Sequence, residues 1–373
     1  MQWLDEYAFK AEERLDASPD LARRVYTCLA QRLAENGTGT VLLFGTIKEE
    51  TNLILAEAMC AAGLRAFVGK LSMDISSRPS YVEASADASL SAARSFVARC
   101  RAEYPAQGLI QPVLTPRFVP TCSEALLRGL GDLSADEGLR VQSHMAESVD
   151  QVEWVRTERG MEDIEVFDKH ALLTPRTVQA HCTFLEAPDL QLVSERGTAI
   201  AHCPLSNAYF SAAPFPLREA LLAGVRVGLG TDIAGGYSVD IMNAMRTAVV
   251  VARMREGTRT LAQKSIQNEV IHGSLAIDWK EALYLATVGG VEALGLTRDI
   301  GVFAVGAPFD AQQIRVYDAK NSAGVGALDF FDLDLQAGSP GLNLEMLEKW
   351  WCVGDGRNRE GMWVQGSSVG ASS

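Results

Sequence analysis

Seven short apolar runs, separated by helical stretches, constrain the fold of this chain more than any other feature of its sequence. Each run is rich in Val, Ile, Leu and Ala and lacks the alternation of a half-exposed strand, which is typical of strands buried on both faces. The predicted strands are residues 40–45, 66–71, 109–115, 139–144, 177–181, 198–203 and 226–231. Pro112 weakens the third strand, because proline cannot donate to the ladder. The strand–helix alternation predicts right-handed βα units and a parallel sheet.

The segments between these strands carry helix signals. Residues 46–49 (Thr-Ile-Lys-Glu) and 121–124 (Thr-Cys-Ser-Glu) match the capping-box pattern, which predicts a helix start at each place. The first helix is expected to end at Gly63, and the second to cover residues 125–130. Further helices are predicted at residues 82–101, 149–156 and 216–223.

The number of strands leaves two α/β architectures open. A closed TIM-type (β/α)8 barrel needs eight strands, whereas seven are predicted. The chain begins with a helical segment, residues 1–24, so in a barrel we expect the first strand to lie upstream of Met1. An open, doubly wound sheet needs no eighth strand and is the alternative.

The character of the sequence changes after residue 295. Residues 300–311 are strand-like and punctuated by glycine, residues 312–316 continue them, and a helix at 342–351 and a strand at 362–365 follow. We predict three regions: an incomplete (β/α) barrel at residues 1–298, the C-terminal part of a small β domain with a helix at 299–366, and a flexible tail at 367–373.

The composition argues against several classes of partner. The chain has 373 residues, of which 47% are hydrophobic and 22% charged, as in ordinary globular proteins. Its formal net charge of −13 argues against binding to nucleic acid or to an acidic membrane surface. It has no apolar stretch of about 20 residues, the length of a membrane span, and its start does not resemble a signal peptide. Seven cysteines without a Cys-x-x-Cys pair favour reduced thiols in a cytoplasmic protein.

Polar side chains follow several predicted strands and indicate a metal-dependent active site. His144 closes one strand and Glu147 comes three residues later, a spacing that lets the histidine hold a metal while the carboxylate moves a proton. His181 and Asp232 follow later strands, and Asp232 precedes two glycines that allow an irregular loop. Each residue also has a structural interpretation: Glu147 on a solvated helix face, His181 as a hydrogen-bonded core residue, and Asp232 as a helix N-cap.

Three further features surround these candidates. Arg117 and Phe118 end another strand and suit a planar, carbonyl-bearing heterocycle, although a surface arginine beside a core phenylalanine fits the pattern equally well. His202 is expected to hold a ligand or a loop rather than a metal, and Cys203 to be structural. The remaining histidines, His170 and His272, follow no strand pattern and are interpreted as bystanders.

With these residues in view, the chain resembles the guanine deaminases of the amidohydrolase superfamily over nearly its whole length. The histidine and aspartate motifs are shared by the wider superfamily, whereas Arg117-Phe118 and the string at residues 231–236 (Thr-Asp-Ile-Ala-Gly-Gly) are specific to guanine deaminases. The matching segments are residues 36–40, 65–70, 115–118, 143–147, 202–207, 228–236, 309–311 and 354–358.

This resemblance implies a distorted (β/α)8 barrel that binds one zinc ion per subunit and hydrolyses guanine to xanthine and ammonia. It implies that His144 and Asp232 ligate zinc, that Glu147 moves protons to the ring and the leaving amine, and that His181 positions the attacking water or the substrate. Arg117 and Phe118 would hold the purine beside His144, Glu147 and Asp232. Relatives of this kind are usually homodimers, so a homodimer is expected.

The chain departs from the family pattern at two places. Cys182 follows His181 where the family has glycine, and no His-x-His pair, which the family carries on its first barrel strand, occurs anywhere in the sequence. Two ligands hold a catalytic zinc poorly, so we predict little or no deaminase activity for the chain as written. We expect a guanine deaminase whose N-terminal part is absent from this sequence. A short, non-catalytic homologue that binds a partner, and a deaminase of another aminopurine, a pterin or a halo-triazine, are the alternatives.

Overall fold

The protein is built around one curled, parallel sheet of seven strands. The computed structural model describes residues 3–105, 108–266, 273–297, 299–318, 320, 323–330 and 342–370. The strands of the sheet are β1 (Thr40–Phe44), β2 (Arg65–Ser72), β3 (Ile110–Pro116), β4 (Arg140–Met145), β5 (Thr177–His181), β6 (Ala199–His202) and β7 (Arg226–Leu229). Each pairs in parallel with the next one along the chain. A doubly wound sheet would reverse its strand order, so this sequential order excludes that alternative and confirms the predicted TIM-type architecture.

Helices precede the sheet and connect its strands. A π-helical turn, Leu4–Ala8, leads into α1 (Phe9–Ala17) and α2 (Pro19–Glu35). The connecting helices are α3 (Glu49–Ala61), α4 (Ala86–Glu103), α5 (Glu124–Glu137), α6 (Val149–Arg159), α7 (Asp163–Lys169), α8 (Ala187–Glu195), α9 (Pro204–Ser206) and α10 (Leu217–Leu222). After β7 come α11 (Ile241–Ile266), α12 (Trp279–Ala286) and α13 (Val288–Ala293). Among the described residues, no helix combines the length and apolar character that a membrane crossing requires.

The two predicted capping boxes are wrong, because other side chains satisfy the groups concerned. Thr46 lies ahead of α3 and donates its hydroxyl to Asp16 at 2.6 Å, so a partner distant in sequence replaces the local cap. The N-cap of α5 is Ser123 rather than Thr121, and its hydroxyl accepts from the Leu126 N–H at 3.2 Å. This helix continues beyond the predicted end and stops at Gly138, where φ is 64° and glycine is favoured.

The C-terminal part forms small antiparallel sheets beside the large one. Its elements are β8 (Ala311–Ile314), β9 (Tyr317–Asp318), β10 (Ala323–Gly324), α14 (Leu344–Val353), β11 (Arg359–Val364) and β12 (Ser367–Ser368). Strands pair in the orders β12-β11-β8 and β10-β9. The strand predicted over residues 300–311 is wrong up to residue 310, where exposed turns replace it. The flexible tail is also wrong for residues 367–370, because β12 pairs with β11 and Val369 is buried; residues 371–373 lie outside the described residues.

Two apolar cores lie between the sheet and the helices that pack on it. The larger core lies around β3–β7 and includes side chains of the helices packed on these strands, such as Leu127, Val155, Val193 and Leu285. The second core joins α2, α3, β2 and the C-terminal strand β11, with Leu33, Met59 and Met362 among its members. Burial at about 25 cal/mol per Å² of apolar surface makes these cores the main stabilising term. They leave the carboxyl ends of the strands free to carry polar groups.

Candidate active site

Four polar side chains lie at the carboxyl ends of neighbouring strands, as the sequence predicts. His144 belongs to β4, His181 ends β5, His202 ends β6, and Asp232 follows β7. Parallel neighbours bring their ends to one rim. The possible ligand atoms of His144, His181 and Asp232 all lie within 4.8 Å of one another. We refer to these three residues as the histidine–aspartate cluster.

His144 is oriented by a backbone carbonyl. Its Nδ1 lies 2.7 Å from the carbonyl oxygen of Arg117, which can only accept, so Nδ1 carries the proton and Nε2 keeps its lone pair. Burial and the neighbouring His181 lower the pKa of His144 to about 3, so the ring is neutral at physiological pH. Phe44 packs on the ring with centroids 4.2 Å apart. Neutral imidazole is the form that binds metals.

His181 is oriented by a side-chain amide. Its Nδ1 lies 2.9 Å from Oδ1 of Asn207, and its Nε2 lies 3.6 Å from Glu147 Oε1 and 3.9 Å from Asp232 Oδ2. Burial acts to lower the pKa of His181, but the two carboxylates and the Asn207 hydrogen bond raise it overall above its usual range. Nε2 is buried and has no hydrogen-bond partner among the described residues. Since buried polar atoms in proteins nearly always have partners, this nitrogen points to an exogenous ligand.

The backbone around the cluster adopts a conformation that side-chain-bearing residues seldom use. Asp232 has φ 48°, and Ala146, His181 and Cys182 have φ values of 46°, 69° and 54°. Strain of this kind costs about 1–3 kcal/mol per residue and collects at functional sites. Gly235 is required here, because a Cβ at that position would lie 2.3 Å from Asp232 Oδ2. The helix N-cap interpretation of Asp232 is wrong, since the next described helix, α11, begins only at Ile241.

Glu147 lies in the loop between β4 and α6. Its carbonyl oxygen accepts a hydrogen bond of 2.5 Å from the hydroxyl of Ser211. Its carboxylate faces His181, and α6 begins after Ser148, which caps it. The alternative of a solvated helix face is therefore wrong. A carboxylate held beside the cluster and partly open to solvent can take up a proton and deliver it nearby.

Arg117 and Phe118 follow β3, and both are buried. The guanidinium of Arg117 forms a bidentate pair with Glu12 of α1, with distances of 2.6 Å (Nη1–Oε2) and 2.9 Å (Nη2–Oε1). It also lies over the ring of Phe9, 4.9 Å from the centroid. The surface-arginine alternative is wrong, because Arg117 is only 7% exposed.

The other histidines lie outside the cluster. His202 is buried against Phe215, with ring centroids 5.1 Å apart, and burial lowers its pKa to about 3. His170 bonds the Val166 carbonyl and Glu124, which agrees with a structural role. His272 lies outside the described residues. Burial raises the pKa of the Cys203 thiol well above its usual range, so it does not serve as a thiolate nucleophile.

A cavity of about 1000 Å³ reaches the cluster from inside the sheet. Side chains of β1, β5 and β7, among them Leu42, Val178 and Leu229, line it, and His144 and Asp232 stand on its wall. Arg117 and Phe118 are not among its lining residues. The structure thus places the predicted metal ligands His144 and Asp232 on the cavity, whereas the predicted purine-binding pair does not line it, although the Arg117 carbonyl contacts His144.

The cluster has the chemistry of a zinc site. Two imidazoles and a carboxylate are ligands that zinc prefers, and each histidine has its other nitrogen held by an oxygen, as metal-binding histidines usually do. Nε2 of His181 is buried without a hydrogen-bond partner in the described part of the chain, which adds that residue to His144 and Asp232 as a candidate ligand. Sequence reasoning assigned no role to Asn207, and it missed Glu12. No local signal marks either contact.

Comparison with known proteins agrees with this fold and site. The sequence profile of the amidohydrolase family matches residues 1–351. The chain therefore belongs to the amidohydrolase family, and the predicted class of hydrolase is confirmed.

Within that family the chain is similar to guanine deaminases. It is 37% identical to guanine deaminase of Mus musculus over 372 residues, which are 99% of this chain and 77% of the mouse protein. It is 35% identical to guanine deaminase of Dictyostelium discoideum, covering 99% of this chain and 76% of that protein. The crystal structure of guanine deaminase from C. acetobutylicum, with guanine bound in the active site, superposes with a TM-score of 0.81 at 28% identity, covering 99% and 80% of the two chains. The predicted resemblance is thus confirmed.

Proposed function

We propose that the protein hydrolyses guanine to xanthine and ammonia in a zinc-dependent reaction. One observation carries the proposal: the histidine–aspartate cluster, with Glu147 3.6 Å from His181, lies at the rim of the sheet in a chain whose sequence is similar to guanine deaminases. Neither a purely binding role nor another aminopurine, pterin or triazine substrate is favoured by a specific feature of the described residues.

We propose one zinc ion per subunit, held by His144, Asp232 and His181. When bound, zinc supplies Lewis-acid chemistry that lowers the pKa of a water from 15.7 to about 7. The Arg117 carbonyl and Asn207 Oδ1 each lie at hydrogen-bond distance from Nδ1 of one imidazole, so Nε2 is the ligand atom that each ring offers to zinc. His181 is a third proposed ligand besides the two predicted from the sequence. The site therefore offers zinc three protein ligands, although the chain has no His-x-His pair.

The remaining roles are assigned to residues beside the cluster. Glu147 takes one proton from the attacking water and delivers it to a ring nitrogen of the purine. It then takes the second proton from the hydroxyl group that has been added and delivers it to the leaving amine, so that one water is consumed and one ammonia is released. Arg117 donates hydrogen bonds to the purine carbonyl, and Phe118 packs behind it. Asp232 and His181 orient the water.

Two broader properties complete the proposal. We propose a cytoplasmic location, supported by seven cysteines that are all free thiols. We also propose a homodimer, on the family resemblance alone. Sedimentation velocity would test the second proposal.

The decisive experiment measures zinc content and xanthine formation on the same preparation. Because low turnover is predicted, guanine is incubated with a high enzyme concentration for hours and xanthine is quantified by chromatography. We expect zinc near one per chain and xanthine formation that chelation abolishes. Zinc binding without any xanthine, under conditions where guanine binds, would contradict the proposed reaction.

A further inference from the structure

Helix α1 carries three acidic side chains that each reach a different loop at the carboxyl rim of the sheet. Asp16 accepts from Thr46, after β1, at 2.6 Å. Glu13 accepts from Arg78, after β2, at 2.8 Å. Glu12 binds Arg117, after β3, through both carboxylate oxygens. We refer to Glu12, Glu13 and Asp16 as the acidic face of α1.

The Glu12 contact differs from the Glu13 contact in burial and in geometry. The side chains of Arg117 and Glu12 are 8% and 18% exposed, against 27% and 29% for Arg78 and Glu13. A bidentate pair fixes the plane of the guanidinium as well as its position. Phe9, one turn before Glu13 on the same helix, covers the guanidinium from above. Within the described residues, Glu12 is the only acceptor bonded to this guanidinium.

The pair leaves donors for a substrate. An arginine has five N–H groups, and Glu12 takes two of them, so three remain (5 − 2). Without the carboxylate, a buried guanidinium on a long, flexible side chain would lose its fixed plane and its charge partner. A displacement of about 1 Å in a binding group is enough to weaken a substrate contact strongly.

We propose that Glu12 is a positioning residue that holds the Arg117 guanidinium in the plane where it meets the carbonyl of the purine. This rests on the proposed function, in which Arg117 binds that carbonyl. Glu12 touches neither the purine nor the cluster, and it acts through Arg117 alone. Helix α1 therefore contributes a positioning side chain to the substrate site, in addition to covering the rim.

The test compares Glu12→Gln with Glu13→Gln, a matched change on the same helix. Dissociation constants for guanine are measured in a Glu147→Gln background with zinc, so that substrate is not consumed, and KM and kcat are measured with Glu147 present. We expect Glu12→Gln to raise the dissociation constant and KM for guanine about 10-fold, equal to about 1.4 kcal/mol, while kcat changes little. Glu13→Gln should leave both constants within a factor of about 2. Binding of 2-aminopurine, which lacks the carbonyl, should be the same in both variants.

A double-variant cycle covers the case in which Glu12→Gln alone folds poorly. If Glu12 acts only through Arg117, the variants Arg117→Gln and Glu12→Gln/Arg117→Gln should bind guanine equally, and neither leaves a buried guanidinium without a partner. Clearly weaker binding by the double variant, or equal effects of Glu12→Gln and Glu13→Gln, would overturn the inference and leave the proposed function standing. Absence of guanine binding in the parent chain would overturn both.

Discussion

The histidine–aspartate cluster and the acidic face of α1 lie at the same rim, but they differ in whether their polar groups have hydrogen-bond partners. Around the cluster, several buried polar atoms have no hydrogen-bond partner among the described residues; they include Nε2 of His181, Nδ1 of His202, Nδ2 of Asn207 and Oγ of Ser206. On the acidic face of α1, each carboxylate is bonded to a defined donor. Buried polar groups without hydrogen-bond partners indicate where a ligand binds, whereas polar groups that are bonded to one another stabilise the shape of the site.

Removing the proton-transfer group of the cluster should have the largest effect. Glu147→Gln keeps the shape of the side chain but cannot carry the proton, so kcat for guanine should fall by about 10²–10⁴-fold. Zinc content, measured by plasma mass spectrometry, should not change, because Glu147 is not assigned as a ligand. If most of the activity survives, another group moves the proton.

Breaking a fully paired group elsewhere should instead destabilise the fold. Lys70 in β2 is 1% exposed and forms an ion pair with Glu83, whose other oxygen accepts from the Met73 N–H at 2.9 Å. Lys70→Met would leave the Glu83 carboxylate buried without its cation and lower the free energy of unfolding by about 3–5 kcal/mol. Chemical denaturation measures this. In the variant Lys70→Met/Glu83→Leu much of the loss should be recovered, and failure to recover it would assign the effect to packing.

Loss of the side chain that orients His181 should weaken the metal site moderately. Asn207→Ala removes the 2.9 Å contact to Nδ1, and changes of this type cost about 10–100-fold in metal affinity or activity. Competition with a zinc chelator measures the affinity. Asn243→Ala, which removes an amide bonded to Thr247 on α11, is the matched control and should leave zinc affinity unchanged. Equal zinc affinity in both variants would show that the Asn207 contact does not support zinc binding.

A pH-dependent effect on stability should come from a buried carboxyl outside the site. Burial raises the pKa of Asp163 to about 7, although Gln151 bonds one of its oxygens. Between about pH 4 and pH 7 the folded protein holds this proton and the unfolded chain releases it. The free energy of unfolding should therefore fall with rising pH in this window, by at most about 1.4 kcal/mol per pH unit from this group.

Two variants of α7 separate this contribution from others. Asp163→Asn should flatten that slope in thermal melts recorded from pH 4 to pH 8. Asp168 on the same helix has its pKa lowered by a hydrogen bond from Arg196. Asp168→Asn should therefore lose a small amount of stability at pH values above 4, and its effect on the slope should be opposite in sign to that of Asp163→Asn. An unchanged slope in Asp163→Asn would show that Asp163 ionises normally in the folded protein.

Much of this site could be predicted from local sequence, and its missing parts have a common cause. The polar residues that close β4, β5 and β7 were identified because a buried strand is recognisable from its own composition and its end from the first polar residue. The capping boxes failed for a related reason, since Thr46 satisfies the local pattern but bonds Asp16, 30 residues away. His181 was assigned to water or substrate on the family resemblance, because the sequence alone does not give its distance to Asp232.

The sequence alone therefore determined the positions of the seven strands along the chain, the helices between them and the identity of the residues at the rim. These follow from apolar periodicity, which each segment carries independently of the rest of the chain. Only the tertiary structure decided which polar groups become partners. Glu12 and Arg117 are 105 residues apart and meet because α1 folds over the ends of β1–β3. Pairing and burial depend on distances in space, and those exist only once the sheet has curled and the helices have packed on it.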